Sequence, residues 1–249
     1  MYKQLRVIAA GVAMALTGTS AIAQKAVLVE LFTSEGCSSC PPADALLRQV
    51  NGTHTNGGLL IVGISEHVTY WNSLGWQDPF SSSLYTERQN TYGERFHLDG
   101  VYTPQMVING AEQIVGSDRA GLARAVKIEE EQQSQFSLRI ISLNVTQGML
   151  TVHFAASGNL PPRGADLFAV LADDADRSNV LRGENSGRDL VHVSVARSIS
   201  RVAKLQTTGE RTAQIPIPAS IQNTQAHHLI LFAQIPGNGR VLGTDTKPL

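Results

Sequence analysis

Cysteine is almost missing from this chain of 249 residues: there are two, Cys37 and Cys40, and no second cluster that would complete a closed metal site around them. Charge of either sign is scarce as well. A formal net charge of −1 and the lack of any dense basic run leave no electrostatic footprint for nucleic acid. Beyond the first two dozen residues no apolar run approaches 18 residues, so no membrane span is expected in the mature chain. There is no internal repeat and no low-complexity tract. An apolar content of 42% excludes general disorder and supplies a core for one large domain or two ordinary ones.

What is present begins with "MYKQLRVIAAGVAMALTGTSAIAQ". Lys3 and Arg6 precede an apolar run from Val7 to Leu16, and Ala21-Ile22-Ala23 is an A-x-A cleavage pattern. An apolar run of that length, at ~1.5 Å per residue, falls well short of a bilayer core of ~30 Å. Residues 1–23 are therefore expected to be a signal peptide cut after Ala23, which places the mature protein in the periplasm or outside the cell. Export changes the meaning of the cysteines, because an oxidising compartment lets an adjacent pair persist as a disulfide. Closing so short a loop removes little unfolded-chain entropy, so stability is a weak reason for the pair.

"AVLVELF" (Ala26 to Phe32) has the pattern of a strand buried on both faces. After the "TSEGCSSC" turn, "PPADALLRQV" carries two prolines where a helix tolerates them, then Leu46, Leu47 and Val50 at helical spacing. "GLLIVGISEHV" is a second buried strand, parallel to the first, and the segment after it emerges beside the cysteines with His67, Trp71, Trp76 and Asp78. A serine-capped helix with Leu84, Arg88 and Tyr92 follows, then Thr103-Pro104, a strand, an Asn109-Gly110 hairpin turn, and a helix capped by Ser117 or Asp118. From Phe136 onward the texture alternates apolar and polar residues without a convincing helix.

This order of elements resembles a thioredoxin-like fold. The expectation is an α/β thioredoxin-like N-terminal domain over residues 24–134 followed by an all-β, sandwich-like domain over 135–249. In such a fold Pro104 is cis and closes the far side of the redox site, with Thr103 offering backbone groups to an extended substrate.

A thiolate is the attacking species, and a helix N-terminus lowers its pKa. Cys37 is thus the expected nucleophile and Cys40 the resolving thiol. Pro41 and Pro42 remove two N–H donors, and Glu35 adds a negative charge nearby, so activation is expected to be modest. Glu30 interrupts an apolar strand; it is expected either to accept the Cys40 proton or to be paired with a His or Arg. His67, Trp71 and Trp76, on the active edge, are expected to face a substrate or partner. A rival reading makes the domain a binding module, with Cu(I) held by the two cysteines and His67 or a client docked on the tryptophan loop. The "DDAD" run (Asp173 to Asp176) lacks a calcium-loop spacing, and His227 and His228, adjacent on a strand, point to opposite faces. "RGENSGRDL" (Arg182 to Leu190) reads as an ordered polar loop with no assigned role.

"VELFTSEGCSSCPPADALL", "WNSLGWQDPFSS", "TERQNTYGERF", "VYTPQMVING" and "RGENSGR" together resemble the exported bacterial family catalogued as domain of unknown function 1223. The resemblance spans the mature chain and implies a thioredoxin-like N-terminal domain in the cell envelope. It departs at Thr69, where the family tends to have an aspartate after His-Val. The expected activity is thiol–disulfide exchange on a protein or small-molecule disulfide, without a cofactor, restored by a recycling redox partner. A threonine before the proline is commoner in reducing and isomerising relatives, so reductase or isomerase is the expected direction.

Overall fold

The computed structural model describes residues 25–132, 135–219, 221 and 226–249. The expected signal segment, with its cut after Ala23, lies outside the described residues. The first half runs β1 (Ala26–Thr33), α1 (Pro41–Val50), β2 (Leu60–His67), a 3-10 turn at Asn72–Leu74, α2 (Ser83–Arg95), β3 (Gln105–Ile108), β4 (Glu112–Val115) and α3 (Arg119–Glu131). The second half is β5 (Phe136–Thr146), β6 (Met149–Gly158), β7 (Ala165–Asn179), β8 (Asp189–Leu205), β9 (Gly209–Pro216), β10 (His227–Gln234) and β11 (Val241–Pro248).

Strand β1 is buried on both faces because its side chains alternate between two apolar layers. Val27, Val29 and Leu31 pack with Ala43, Leu46 and Leu47 of α1 and with Leu122, Ala125 and Val126 of α3. Leu28 and Phe32 point the other way, into clusters with Tyr85 and Tyr92 of α2. Helix α1 starts with prolines at its first two positions, and α2 is capped by Ser82, whose side chain accepts from the Leu84 N–H. The buried stripe of α2 is Tyr85, Arg88, Gln89 and Tyr92, while Leu84 is 51% exposed. Asp118 caps α3, and Asn109 and Gly110, both at positive φ, turn β3 into β4.

The expectation of an α/β thioredoxin-like domain followed by an all-β sandwich is overturned. The protein is mostly β, and strands of both halves share one mixed sheet of eight in the order β11-β10-β7-β8-β2-β1-β3-β4. β1 is parallel to β2 and antiparallel to β3, and the junction between the halves is a parallel pairing of β2 with β8 at Ser65 and Val195. Ser194 Oγ also donates to the Gly63 carbonyl at 2.5 Å. The second sheet, β5-β6-β9, packs through Leu150, Val152, Phe154 and Ile215 on one face of β7 and β10. The opposite face of those strands, with Val170, Ile230 and Phe232, joins the layer of Leu28, Ile64 and Tyr85. The physical reason is that β2 has one edge that β1 leaves unpaired, and β8 meets that edge at Ser65 and Val195. A local alternation of apolar and polar residues marks a strand and its faces but carries nothing about which distant edge it joins.

Candidate functional site

The four-residue turn ahead of α1 is closed by a disulfide between Cys37 and Cys40, with Cα atoms 5.4 Å apart. Both cysteines are fully buried, although Ser38 and Ser39 between them are exposed. Few N–H groups are free here. Cys40 N donates to the Cys37 carbonyl, Ala43 N and Asp44 N both donate to the Cys40 carbonyl, and Pro41 and Pro42 have none to give.

Two glycines bring the rest of the site against this turn. A Cβ on Gly36 would lie 3.0 Å from the Trp71 Cβ, so the residue before Cys37 has to be small. A Cβ on Gly116 would lie 2.9 to 3.1 Å from Pro104, Leu31 and Ala43 together, so Gly116 is where Pro104 and the first turn of α1 converge. The Thr103–Pro104 bond is cis, and Thr103 Oγ1 accepts from Trp71 Nε1 at 2.8 Å. The structure thus gathers Cys37, Cys40, Trp71, Thr103 and Pro104 on one edge.

A buried polar cluster lies under that edge. Trp76 Nε1 donates to Glu35 Oε2 at 2.7 Å, and Ser178 Oγ donates to Glu35 Oε1. His67 Nδ1 meets Asp78 Oδ2 at 2.7 Å, Ser65 Oγ lies 3.3 Å from His67 Nε2, and Asp78 also accepts the Glu35 N–H. Asp78 therefore orients His67, and Thr69 instead bonds Thr86. Burial pushes the Asp78 carboxyl up, but the charge and hydrogen bond of His67 and two backbone N–H groups outweigh it and hold the carboxyl below the usual range. Edge-on to His67, at 4.6 Å between ring centres, is His192 from β8. Its Nε2 is 3.4 Å from Glu35 Oε1 and its Nδ1 is 3.7 Å from Asp44 Oδ1, ion-pair contacts without hydrogen-bond alignment. Burial pulls the His192 pKa down, and the two facing carboxylates overcome it and raise it.

The turn between β7 and β8 covers the disulfide. Asn185 Nδ2 donates to the carbonyls of Glu35 and Cys37 at 2.8 and 2.9 Å, and Glu184 Oε2 accepts from Ser38 N at 3.0 Å. Those contacts with Ser38 hold the Glu184 carboxyl below its usual range. Gly183 rests against Trp76. This is the polar loop to which the sequence assigns no role; its Glu184 and Asn185, like His192 of β8 and Asp44 of α1, do not stand out as site residues in the sequence, because no local pattern marks them.

Glu30 goes elsewhere. The alternation along β1 turns it to the face opposite Leu31 and α1. There Arg88 Nε contacts its Oε1 at 2.5 Å and Tyr92 OH donates to its Oε2 at 2.6 Å. Glu66 of β2, fully buried, faces the same guanidinium at 3.7 Å, and neither of its oxygens has a hydrogen bond. Burial first, then the Glu30 charge, push its pKa well up, only partly opposed by Arg88. Among the described residues no group of three His, Cys, Asp or Glu is arranged to hold a metal, and no helix is long and apolar enough to cross a membrane. A cavity of about 510 Å³ lies away from the disulfide, between α3, Phe136 and Arg240.

Residues 28–234 match the model of a family described as protein of unknown function DUF1223. No curated protein matches the chain. Among solved structures, protein AGR_C_4864 from Agrobacterium tumefaciens is 26% identical, with a TM-score of 0.65 over 88% of this chain and 92% of its own. HBP35 of Porphyromonas gingivalis, 12% identical, has a TM-score of 0.68 over 92% of this chain and 76% of its own, a likeness of fold.

Proposed function

The protein belongs to the DUF1223 family, whose description assigns no activity, and we propose that it is an exported thiol–disulfide exchange protein working through Cys37 and Cys40. The observation that carries the reading is the placing of the pair: two cysteines at the start of α1, on an edge shared with Trp71, Thr103 and Pro104. A disulfide closing so short a turn contributes little to stability through chain entropy, whereas a thiol at a helix start is placed to react.

In the reductive direction the Cys37 thiolate attacks one sulfur of a substrate disulfide, forming a mixed disulfide while the other substrate sulfur leaves as a thiolate. Cys40 then loses its proton and attacks Cys37 Sγ. This restores the Cys37–Cys40 bond, releases the second substrate thiol and leaves the substrate reduced by two electrons. A dithiol partner in the envelope supplies those electrons by reducing Cys37–Cys40 again. The substrate lies extended along Thr103-Pro104 beside Trp71. Glu30 belongs to the Arg88 pair and takes no part, while His67 and Trp76 support Glu35 beneath the turn. Because both sulfurs are buried, the turn at 181–188 lifts before exchange.

The test is the reduction potential of the pair, found by equilibrating mature protein in graded glutathione buffers and counting alkylated thiols by mass. A value between about −120 and −270 mV supports exchange and indicates its direction; one below about −300 mV means a structural disulfide and ends this reading.

A further inference from the structure

Cys37 lacks most of what normally stabilises a thiolate at a helix start. The first two helical positions are prolines, the Ala43 and Asp44 N–H groups are committed to the Cys40 carbonyl, and Ser38 N–H is committed to Glu184. Two buried carboxylates flank the pair along the chain instead: Glu35, two residues before Cys37, and Asp44, one helical turn beyond Cys40 on the same face of α1. A negative sulfur forming here would be opposed by both charges in a site with little water to screen them.

His192 stands between those carboxylates, 1% exposed, with one ring nitrogen toward each. It arrives from β8, a strand of the other half of the chain. Among the groups around it, Thr33 Oγ1 donates to the same Asp44 Oδ1 at 2.9 Å. His67 and Phe80 pack edge-on against the ring, and Asp78 is bonded to His67. Arg48 of α1 is exposed and donates to the Val191 carbonyl, and Arg182 and Arg188 of the covering turn are exposed.

We propose that His192 is the positioning residue that sets the redox poise of the Cys37–Cys40 pair, by cancelling one of the two carboxylate charges that flank the pair along the chain. The inference rests on the exchange reading above. On reduction the disulfide takes two electrons and one proton, becoming a Cys37 thiolate and a Cys40 thiol. The electrons come from a dithiol donor that becomes a disulfide, and the donor's second proton goes to solvent. An imidazolium between Glu35 and Asp44 favours the thiolate side of that balance, and its raised pKa keeps the ring charged at neutral pH.

The experiment uses full-length mature protein carrying His192→Gln, Asp44→Asn or both. In reduced protein the Cys37 thiol pKa is read from thiolate absorbance and from alkylation rate against pH; the exchange constant is read in glutathione buffers. His192→Gln is expected to reduce the thiolate fraction at neutral pH about tenfold and to move the exchange equilibrium about tenfold toward the disulfide. Asp44→Asn is expected to move both the other way, and the double variant to return close to wild type. Both quantities staying within twofold of wild type in folded His192→Gln protein would overturn the proposal. So would the two single variants shifting in the same direction, the mark of general loosening. Should His192→Gln fail to fold, the direction of the Asp44→Asn shift decides. If glutathione never reduces the wild-type pair, the exchange reading fails by itself, and the thiol pKa after phosphine reduction still judges His192.

Discussion

The side-chain amide of Asn185 donates to the carbonyl of Cys37 at 2.9 Å, tying together residues 148 positions apart. The same amide reaches the Glu35 carbonyl, so one side chain from the β7–β8 turn pins both ends of the segment that enters the cysteine turn. Both sulfurs are buried where that turn closes over them.

Asn185→Ala removes two buried hydrogen bonds, each worth about 0.5–1.5 kcal/mol. If the turn must lift for a reductant to enter, dithiothreitol should reduce Cys37–Cys40 about tenfold faster in the variant, measured by timed alkylation and mass. An unchanged rate would show that the turn does not limit access.

Cys40→Ser should leave Cys37 able to attack and unable to release its partner. Expressed in an exporting cell and quenched with acid, it should carry mixed disulfides visible on non-reducing gels, absent from Cys37→Ser. Equal adducts in both variants, or none in either, would count against the order of attack.

Arg88 is the cation for the buried Glu30 carboxylate and faces the buried Glu66 carboxyl, and its guanidinium also lies over the rings of Tyr92, Phe168 and Phe232 at 5.1 to 5.4 Å. Arg88→Met keeps much of the packing and leaves the Glu30 charge uncompensated. Denaturant unfolding should register a loss of about 3–5 kcal/mol, the usual result of removing one partner of a buried pair. Because Glu30 is a member of this pair and not of the cysteine edge, Glu30→Gln should leave the Cys37 thiol pKa unmoved while lowering stability. A shift in that pKa would return Glu30 to the redox chemistry.

Glu66 gives stability a pH dependence of definite sign. Its folded pKa lies well above 4.5, so above about pH 4.5 the unfolded chain has released a proton that the folded chain keeps. The folded state then binds more protons, and stability falls as pH rises from that point toward the folded pKa. Urea midpoints measured from pH 4.5 to 8 should decline more steeply for wild type than for Glu66→Gln; parallel curves would mean that Glu66 is ionised in the fold.

Much of the cysteine edge is legible in the order of residues. The apolar run of β1, the prolines opening α1, the serine at the start of α2 and the Asn109-Gly110 turn are local signals, decided by sterics and by hydrogen bonds within a few residues. They suffice to place Cys37 and Cys40 at a helix start, and the parallel order of β1 and β2 brings His67 and Trp71 into their neighbourhood, whereas Pro104 is placed there in the sequence only by resemblance to a thioredoxin-like order of elements. The direction of Glu30 is harder to read, since a buried acid on a strand states a need for a partner without naming the face on which the partner waits.

The union of the two halves is a matter of tertiary structure. Pairing of β2 with β8 depends on an exposed edge meeting a strand about 130 positions later, and neither segment carries a mark of the other. From that one junction come His192 between Glu35 and Asp44, and the turn whose Glu184 and Asn185 close over the disulfide. The strands, the helix starts and the cysteine turn follow from the order of residues, because they depend on neighbours along the chain. The charge environment and the cover of that turn depend on neighbours across a sheet, which only the folded chain brings together.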